Sequence, residues 1–107
     1  MSWRVEILND AVAAELASLP GDMQARFARL VERVEQIGLE NLAMPHVRHL
    51  QGKLWEFRLK GRDGIARALY ITGVGRRIVV VRAFVKKTPR TPRTEIELAL
   101  QRAREIQ

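Results

Sequence analysis

The chain has 107 residues, 47% of them hydrophobic, which suits one folded domain with a modest core and excludes a disordered segment. Cysteine is absent, so disulfides and thiolate-held zinc are excluded, and the composition fits a cytoplasmic protein. The formal net charge is +7, unevenly spread: residues 1–45 hold four Lys/Arg against seven Asp/Glu, whereas residues 46–107 hold fifteen against five.

A basic half points to a polyanionic partner, RNA or DNA being the usual one, unless the surface is merely solvated. No stretch reaches the roughly 18 apolar residues of a membrane-spanning helix. The start of the chain alternates in character and carries Glu6, so it does not read as the core of a signal peptide.

Trp3–Leu8 reads as a short strand. Asn9 or Asp10 can cap a helix that runs to about Leu19, with Val12, Leu16 and Leu19 on one face. Pro20-Gly21-Asp22 breaks it and begins a second helix. In that helix Met23, Phe27, Leu30, Val31, Val34 and Ile37 recur at helical spacing, while Arg26, Arg29, Glu32, Arg33 and Glu35 fill the other face. Gly38 is placed to stop it. The two helices should form a hairpin packed on a sheet, followed by coil from Leu39 to Gly52.

Three strands are predicted next. Leu54–Lys60 alternates, Trp55, Phe57 and Leu59 pointing one way and Glu56, Arg58 and Lys60 the other. Turns at Gly61–Gly64 and Gly73–Arg76 separate it from Ile65–Thr72 and Ile78–Val85. Lys86–Arg93 is a basic, proline-punctuated link. Thr91 can cap a last helix with Pro92 at its first position, and Thr94 with Glu97 offers a capping box instead. The expected architecture is α+β in the order β-α-α-β-β-β-α: a small, mostly antiparallel sheet with the helices on one face and the other face open to water.

Arg67 lies between Ile65, Leu69 and Ile71 at two-residue spacing, and Arg82 among Ile78, Val80 and Phe84. An arginine inside an apolar strand face needs a partner or water. It is either salt-bridged, to Glu56 or Asp63, or lines a cleft that receives phosphate, which its planar fork binds well. Lys86–Arg93 leads into a helix N-terminus, another place that favours anions. His46-Val47-Arg48-His49 is rejected as a metal site, since no acidic or cysteine partner is near. Gly73-Val74-Gly75 joins two strands and reads as a turn, not a phosphate loop.

Leu54-Trp55-Glu56-Phe57-Arg58, Gly64-Ile65-Ala66-Arg67-Ala68-Leu69-Tyr70 and Ala83-Phe84-Val85-Lys86-Lys87-Thr88-Pro89 together resemble HigB-like toxins of the RelE/ParE superfamily, in particular the phage-derived branch. The resemblance spans nearly the whole chain. It implies a single compact domain of the microbial-ribonuclease kind. Its expected activity is that of a type II toxin that cleaves ribosome-bound messenger RNA through attack of the ribose 2′-OH, without metal or other cofactor.

Carried across, Arg58 and Arg67 fall at phosphate-contacting positions. Lys86 and Lys87 match a basic pair that contacts the backbone or stabilises the transition state. Lys53, Lys60, Arg90 and Arg93 are expected to add RNA contacts, as is Arg82, which has no motif behind it. RelE's lysines before the first arginine are replaced here by Leu54 and Glu56, and its tyrosine near the C-terminal helix has no counterpart beyond Tyr70. The proton-transfer residue is therefore unassigned. The resemblance also implies an antitoxin partner, a helix-turn-helix protein forming a hetero-oligomer, and no membrane partner. Two other readings stand beside it: a ParE-like inhibitor of DNA gyrase, and a nucleic-acid-binding module without activity.

Overall fold

The computed structural model describes residues 2–42, 47–87 and 89–106. Its elements are β1 (Arg4–Ile7), α1 (Asp10–Ala17), α2 (Gly21–Ile37), a 3₁₀ turn (Leu39–Asn41), β2 (Val47–Gln51), β3 (Leu54–Gly61), β4 (Gly64–Gly73), β5 (Arg77–Lys86) and α3 (Arg93–Ala103). The strands form one sheet in the order β1-β5-β4-β3-β2, with β1 parallel to β5 and every other pair antiparallel. The expected α+β order is present with one strand more than predicted. Among the described residues no helix is long and apolar enough to cross a membrane.

Local signals explain most boundaries. The Asn9 side chain caps α1 by accepting from the Val12 N–H at 3.0 Å. Gly38 ends α2 at φ +89, a conformation other residues adopt only with strain. Gly61 closes β3 against the start of α2: an added Cβ would come within 2.8 Å of Met23 Cγ. The strand missing from the prediction is β2. Its alternation is broken by an irregularity between His49 and Gln51, but Gly52-Lys53 is a two-residue connection to β3, and Gly52 has φ +56.

The helical hairpin covers one face of the sheet, as expected. Val12, Leu16, Met23, Leu30 and Val34 pack there on Phe57, Leu59, Ala66, Ala68, Tyr70, Ile78 and Val80. Phe57 and Tyr70 stack with ring centroids 4.1 Å apart. The second face departs from the expectation of an open surface. Leu54, Leu69, Ile71, Val79 and Val81 form a second core against α3 through Ala99, with Ile96, Leu100 and Phe84 beside it. The alternating side chains of β4 are therefore buried on both sides, which is why Ala66 through Ile71 read as an almost unbroken apolar run. Only the end of this face near Arg67 and Lys86 is left to charged side chains.

A bulge in β5 decides where that end points. Leu69 pairs with Arg82 and Tyr70 with Val80, so Val81 has no partner of its own in β4. The insertion breaks the alternation that groups Arg82 with Ile78 and Val80. Beyond it Ala83 joins the first core, while Phe84 faces the second. β1 also ends at this level, pairing last through Ile7 and Val80. The exposed edge of β5 is closed by side chains instead: Ala83 N–H donates to Glu15 at 3.2 Å, and Arg102 donates to the Val81 carbonyl at 2.9 Å.

Glu15 on α1 and Arg102 on α3 pair at 2.8 Å, and Arg82 bridges Glu15 at 2.9 Å and Glu95 at 2.7 Å. This network bolts both helices to one strand edge. Burial pushes the Glu15 carboxyl up, but hydrogen bonds from Arg102 and Ala83 and the charges of Arg82 and Arg102 outweigh it, so its pKa lies below the ordinary 4.5.

The network should therefore contribute fully above about pH 4.5 and be lost as pH falls through the lower, folded-state value of Glu15. Glu15→Gln is expected to cost about 2 kcal/mol at pH 7. Urea unfolding as a function of pH should show the wild-type and variant stabilities converging in acid.

Candidate active site

On the second face, beyond the α3 core, strand register collects charge. Arg58 on β3 stands directly opposite Arg67 on β4, Glu56 lies opposite Leu69 and, on its other side, Arg48 of β2, and Lys86 of β5 pairs with Ile65. Like charges facing each other across strands oppose pairing. Here one carboxylate, Glu56, stands among four cations, Arg48, Arg58, Arg67 and Lys86, and its ion pair is with Arg67.

Burial makes the imbalance costly. Glu56 is 0% exposed and Arg67 2%. Their ion pair, Arg67 Nη1 to Glu56 Oε2, spans 3.4 Å, longer than a good hydrogen bond. Arg67 Nε and Nη1, Arg58 Nε and Glu56 Oε2 are buried without a hydrogen-bond partner among the described residues. Orphaned donors of this kind are rare in a folded protein and fit a site prepared for an acceptor that arrives from outside. Burial pulls the Arg67 pKa down, Glu56 pushes it back, and Arg58 and Arg48 lower it further, for a net decrease. The guanidinium stays charged at any working pH.

The link after β5 closes the site. Thr91 donates its hydroxyl to Glu56 Oε1 at 2.7 Å, so it does not cap α3. That helix begins after Pro92 with no side-chain cap, and neither capping pattern predicted from sequence is formed. Lys86 Nζ donates to the Pro89 carbonyl at 2.5 Å. Burial lowers the Lys86 pKa from its ordinary 10.5, and the charge of Arg67 lowers it further. Glu56 opposes the shift, while Arg48 and Arg58 reinforce it. A neutral amine is thus more accessible here than on an ordinary surface lysine.

Of the residues named from sequence, Arg58, Arg67 and Lys86 come together, with Lys87 exposed beside them. Lys60 is exposed two positions beyond Arg58 on the same strand, and Lys53 is exposed in the β2–β3 turn. Arg90 is exposed in the link. Arg93 opens α3 and pairs with Glu97 at 3.2 Å on the surface. Arg82 is engaged by Glu15 and Glu95 in the network that holds the helices. His49 Nε2 lies 2.8 Å from the Gly52 carbonyl oxygen and its ring packs edge-on to Trp55. His46 and Thr88 lie outside the described residues.

Two members of the site escaped the sequence reading as site residues. Glu56 was legible only as a possible salt-bridge partner of Arg67. Arg48 required β2, whose register sets it opposite Glu56.

The geometry agrees with what the chain is similar to. Residues 14–104 match the model of the family described as phage derived protein Gp49-like (DUF891). No curated protein matches the chain closely. Five solved chains match in structure, among them one from the archaeal RelE–RelB complex of Pyrococcus horikoshii OT3. That match is 24% identical, covers 79% of this chain and 96% of the other, and has a TM-score of 0.55. The charged end of the second face thus sits on a fold similar to that of a chain in the RelE–RelB complex, and the chain itself belongs to the phage-derived Gp49-like family.

Proposed function

We propose that this protein is the toxin of a type II toxin–antitoxin pair and an endoribonuclease that cuts messenger RNA on the ribosome. The observation that carries the reading is the cluster of cations around Glu56, with buried guanidinium nitrogens of Arg67 and Arg58 lacking an acceptor among the described residues. A phosphodiester provides the missing acceptors and the missing negative charge. The likeness to RelE from a RelE–RelB complex supports an antitoxin as the partner that holds the activity in check.

In this reading Arg67 and Arg58 grip the non-bridging oxygens of the scissile phosphate and stabilise the charge that grows on them. Glu56 is a positioning residue, fixing Arg67 from one side and Thr91 from the other. Neutral Lys86 takes the proton of the 2′-OH, whose oxygen forms a bond to phosphorus as the bond to the 5′-oxygen breaks. The leaving oxygen is protonated from the Lys87 ammonium or water at the exposed rim. The products are a 2′,3′-cyclic phosphate and a 5′-hydroxyl. Lys53, Lys60, Arg90 and Arg93 flank the path as backbone contacts.

Three outcomes are expected. Inducing the protein and mapping RNA ends should show cuts inside coding regions that carry 5′-hydroxyls; intact messages together with altered DNA supercoiling would instead identify a gyrase inhibitor. Arg58→Ala should lower cleavage about 100-fold and leave stability within about 0.5 kcal/mol, since no carboxylate among the described residues pairs with it. By contrast, Arg67→Gln alone should destabilise by about 3–5 kcal/mol, because it strands Glu56 as a buried, unpaired charge. The double variant Glu56→Gln/Arg67→Gln should recover much of that stability yet stay inactive, read by thermal melts alongside single-turnover cleavage.

The third outcome concerns pH. If Lys86 must be neutral, kcat/KM rises with pH up to its lowered folded-state pKa, below 10.5, and then levels. Lys86→Arg should remove that rise while keeping the charge. Glu56→Gln should keep it, and its loss there instead would assign the proton to Glu56.

A further inference from the structure

A second group of cations lies around the edge of β3, on the side of α2. Arg26, Arg29, Arg33 and Arg58 line a pocket of about 160 Å³ whose only apolar wall is Leu30. The three helix residues are exposed and recur at three- and four-residue intervals, so they form one stripe along α2 beside its buried face. Like charges at these intervals weaken a helix by a few tenths of a kcal/mol per pair. Nothing nearby relieves them: none of the four takes part in an ion pair among the described residues, although Glu32 and Glu35 stand on the same helix.

Arg58 belongs to both groups. Its charge acts on Arg67 and Lys86 on the second face, and it also forms a wall of the α2 pocket. Arg58 therefore joins the two groups of cations across β3. The pocket is smaller than the few hundred Å³ that an organic ligand usually needs. No aromatic residue lines it, and aromatic anchors dominate protein–protein contacts. The planar fork of an arginine suits the oxygens of a phosphodiester, and four arginines surround this pocket.

We propose that Arg26, Arg29 and Arg33, with Arg58, form a second phosphate site that holds the strand being cut at a phosphate flanking the scissile one. The proposal rests on the reading of the protein as an RNA-cutting enzyme, and adds to it a direction: the strand leaves the second face over the edge of β3 toward α2. The site fixes register along the backbone and carries no information about base identity.

The test uses the full chain and a fluorescent single-stranded RNA whose 2′ positions are O-methylated, so that it binds and is not cleaved. Affinity is measured by anisotropy across a salt series for wild type, Arg29→Ala/Arg33→Ala and, as a control, Arg104→Ala, an exposed arginine outside the pocket. The double variant should bind about 10-fold more weakly, with the slope of log affinity against log salt shallower by about 1, while Arg104→Ala behaves as wild type. Circular dichroism melts confirm that both variants fold.

Unchanged affinity and slope overturn the proposal. If oligonucleotide binding is unchanged but co-sedimentation with small ribosomal subunits is lost, the pocket belongs to ribosomal RNA and the proposal fails. If instead binding of polyglutamate is lost, it belongs to an acidic peptide and the proposal fails likewise. Should wild type bind as expected yet never cut RNA, with or without ribosomes, the cleavage reading falls while the phosphate site stands.

Discussion

Glu56 has no access to solvent, yet its carboxylate sits among four cations, and the arrangement of the second face follows from that single negative charge. A buried ion pair contributes little net stability when weighed against well-packed apolar side chains. Its value lies in what it forbids. Arg67 cannot swing out to water without abandoning Glu56, and Thr91 cannot turn to cap α3 without releasing the other carboxylate oxygen. One side chain thereby fixes a strand arginine and the link that follows β5, and through that link the position of Lys86. The stability needed to hold such a charge-rich end comes from elsewhere: the apolar core under the helical hairpin, the smaller core under α3, and the ion network at the edge of β5.

Much of this was legible in the sequence wherever a short-range rule decided the outcome. Asn9 as a cap, Gly38 as a stop and the apolar stripe of α2 depend on neighbours within one or two helical turns. The two glycine-bounded turns of the meander are equally local. The failures share a different cause. Strand β2 was hidden because its alternation is irregular. Thr91 satisfies every local condition for a cap but finds a stronger acceptor thirty-five residues away. Arg82 sits in an apolar strand face by counting, and only the bulge at Val81 shows that counting by twos does not hold there. The position of α3 across the second face was also unreadable, since its apolar stripe does not say which surface it will cover.

Site residues divide the same way. Arg67 stood out because it interrupts an apolar strand face, whereas Arg58 was named from the family resemblance. Glu56 and Arg48 became visible only with the strand register. The division of the chain into an acidic first part and a basic second part was accurate as a count and misleading as a map. Three of the four arginines among residues 1–45 stand in one stripe of α2, and folding carries them to the rim of the basic cluster formed by residues from the other part. Electrostatic surfaces are assembled by topology, and a charge tally along the chain averages over the feature that matters.

The unpaired residue in β5 has a consequence of a different kind. It acts as a change of phase: before it one parity of the strand faces the helical hairpin, after it the other does. Removing Val81 itself would make Arg82 follow Val80 opposite Leu69 and Tyr70, and the ladder beyond would keep its register and its faces. A deletion farther on, between Ala83 and Val85, has no such slack: it would turn Lys86 toward the hairpin core and away from the face that carries Arg67. The charged end of the sheet is therefore specified by an integer as much as by residue identity, and β5 holds one position at which that integer can change without moving it.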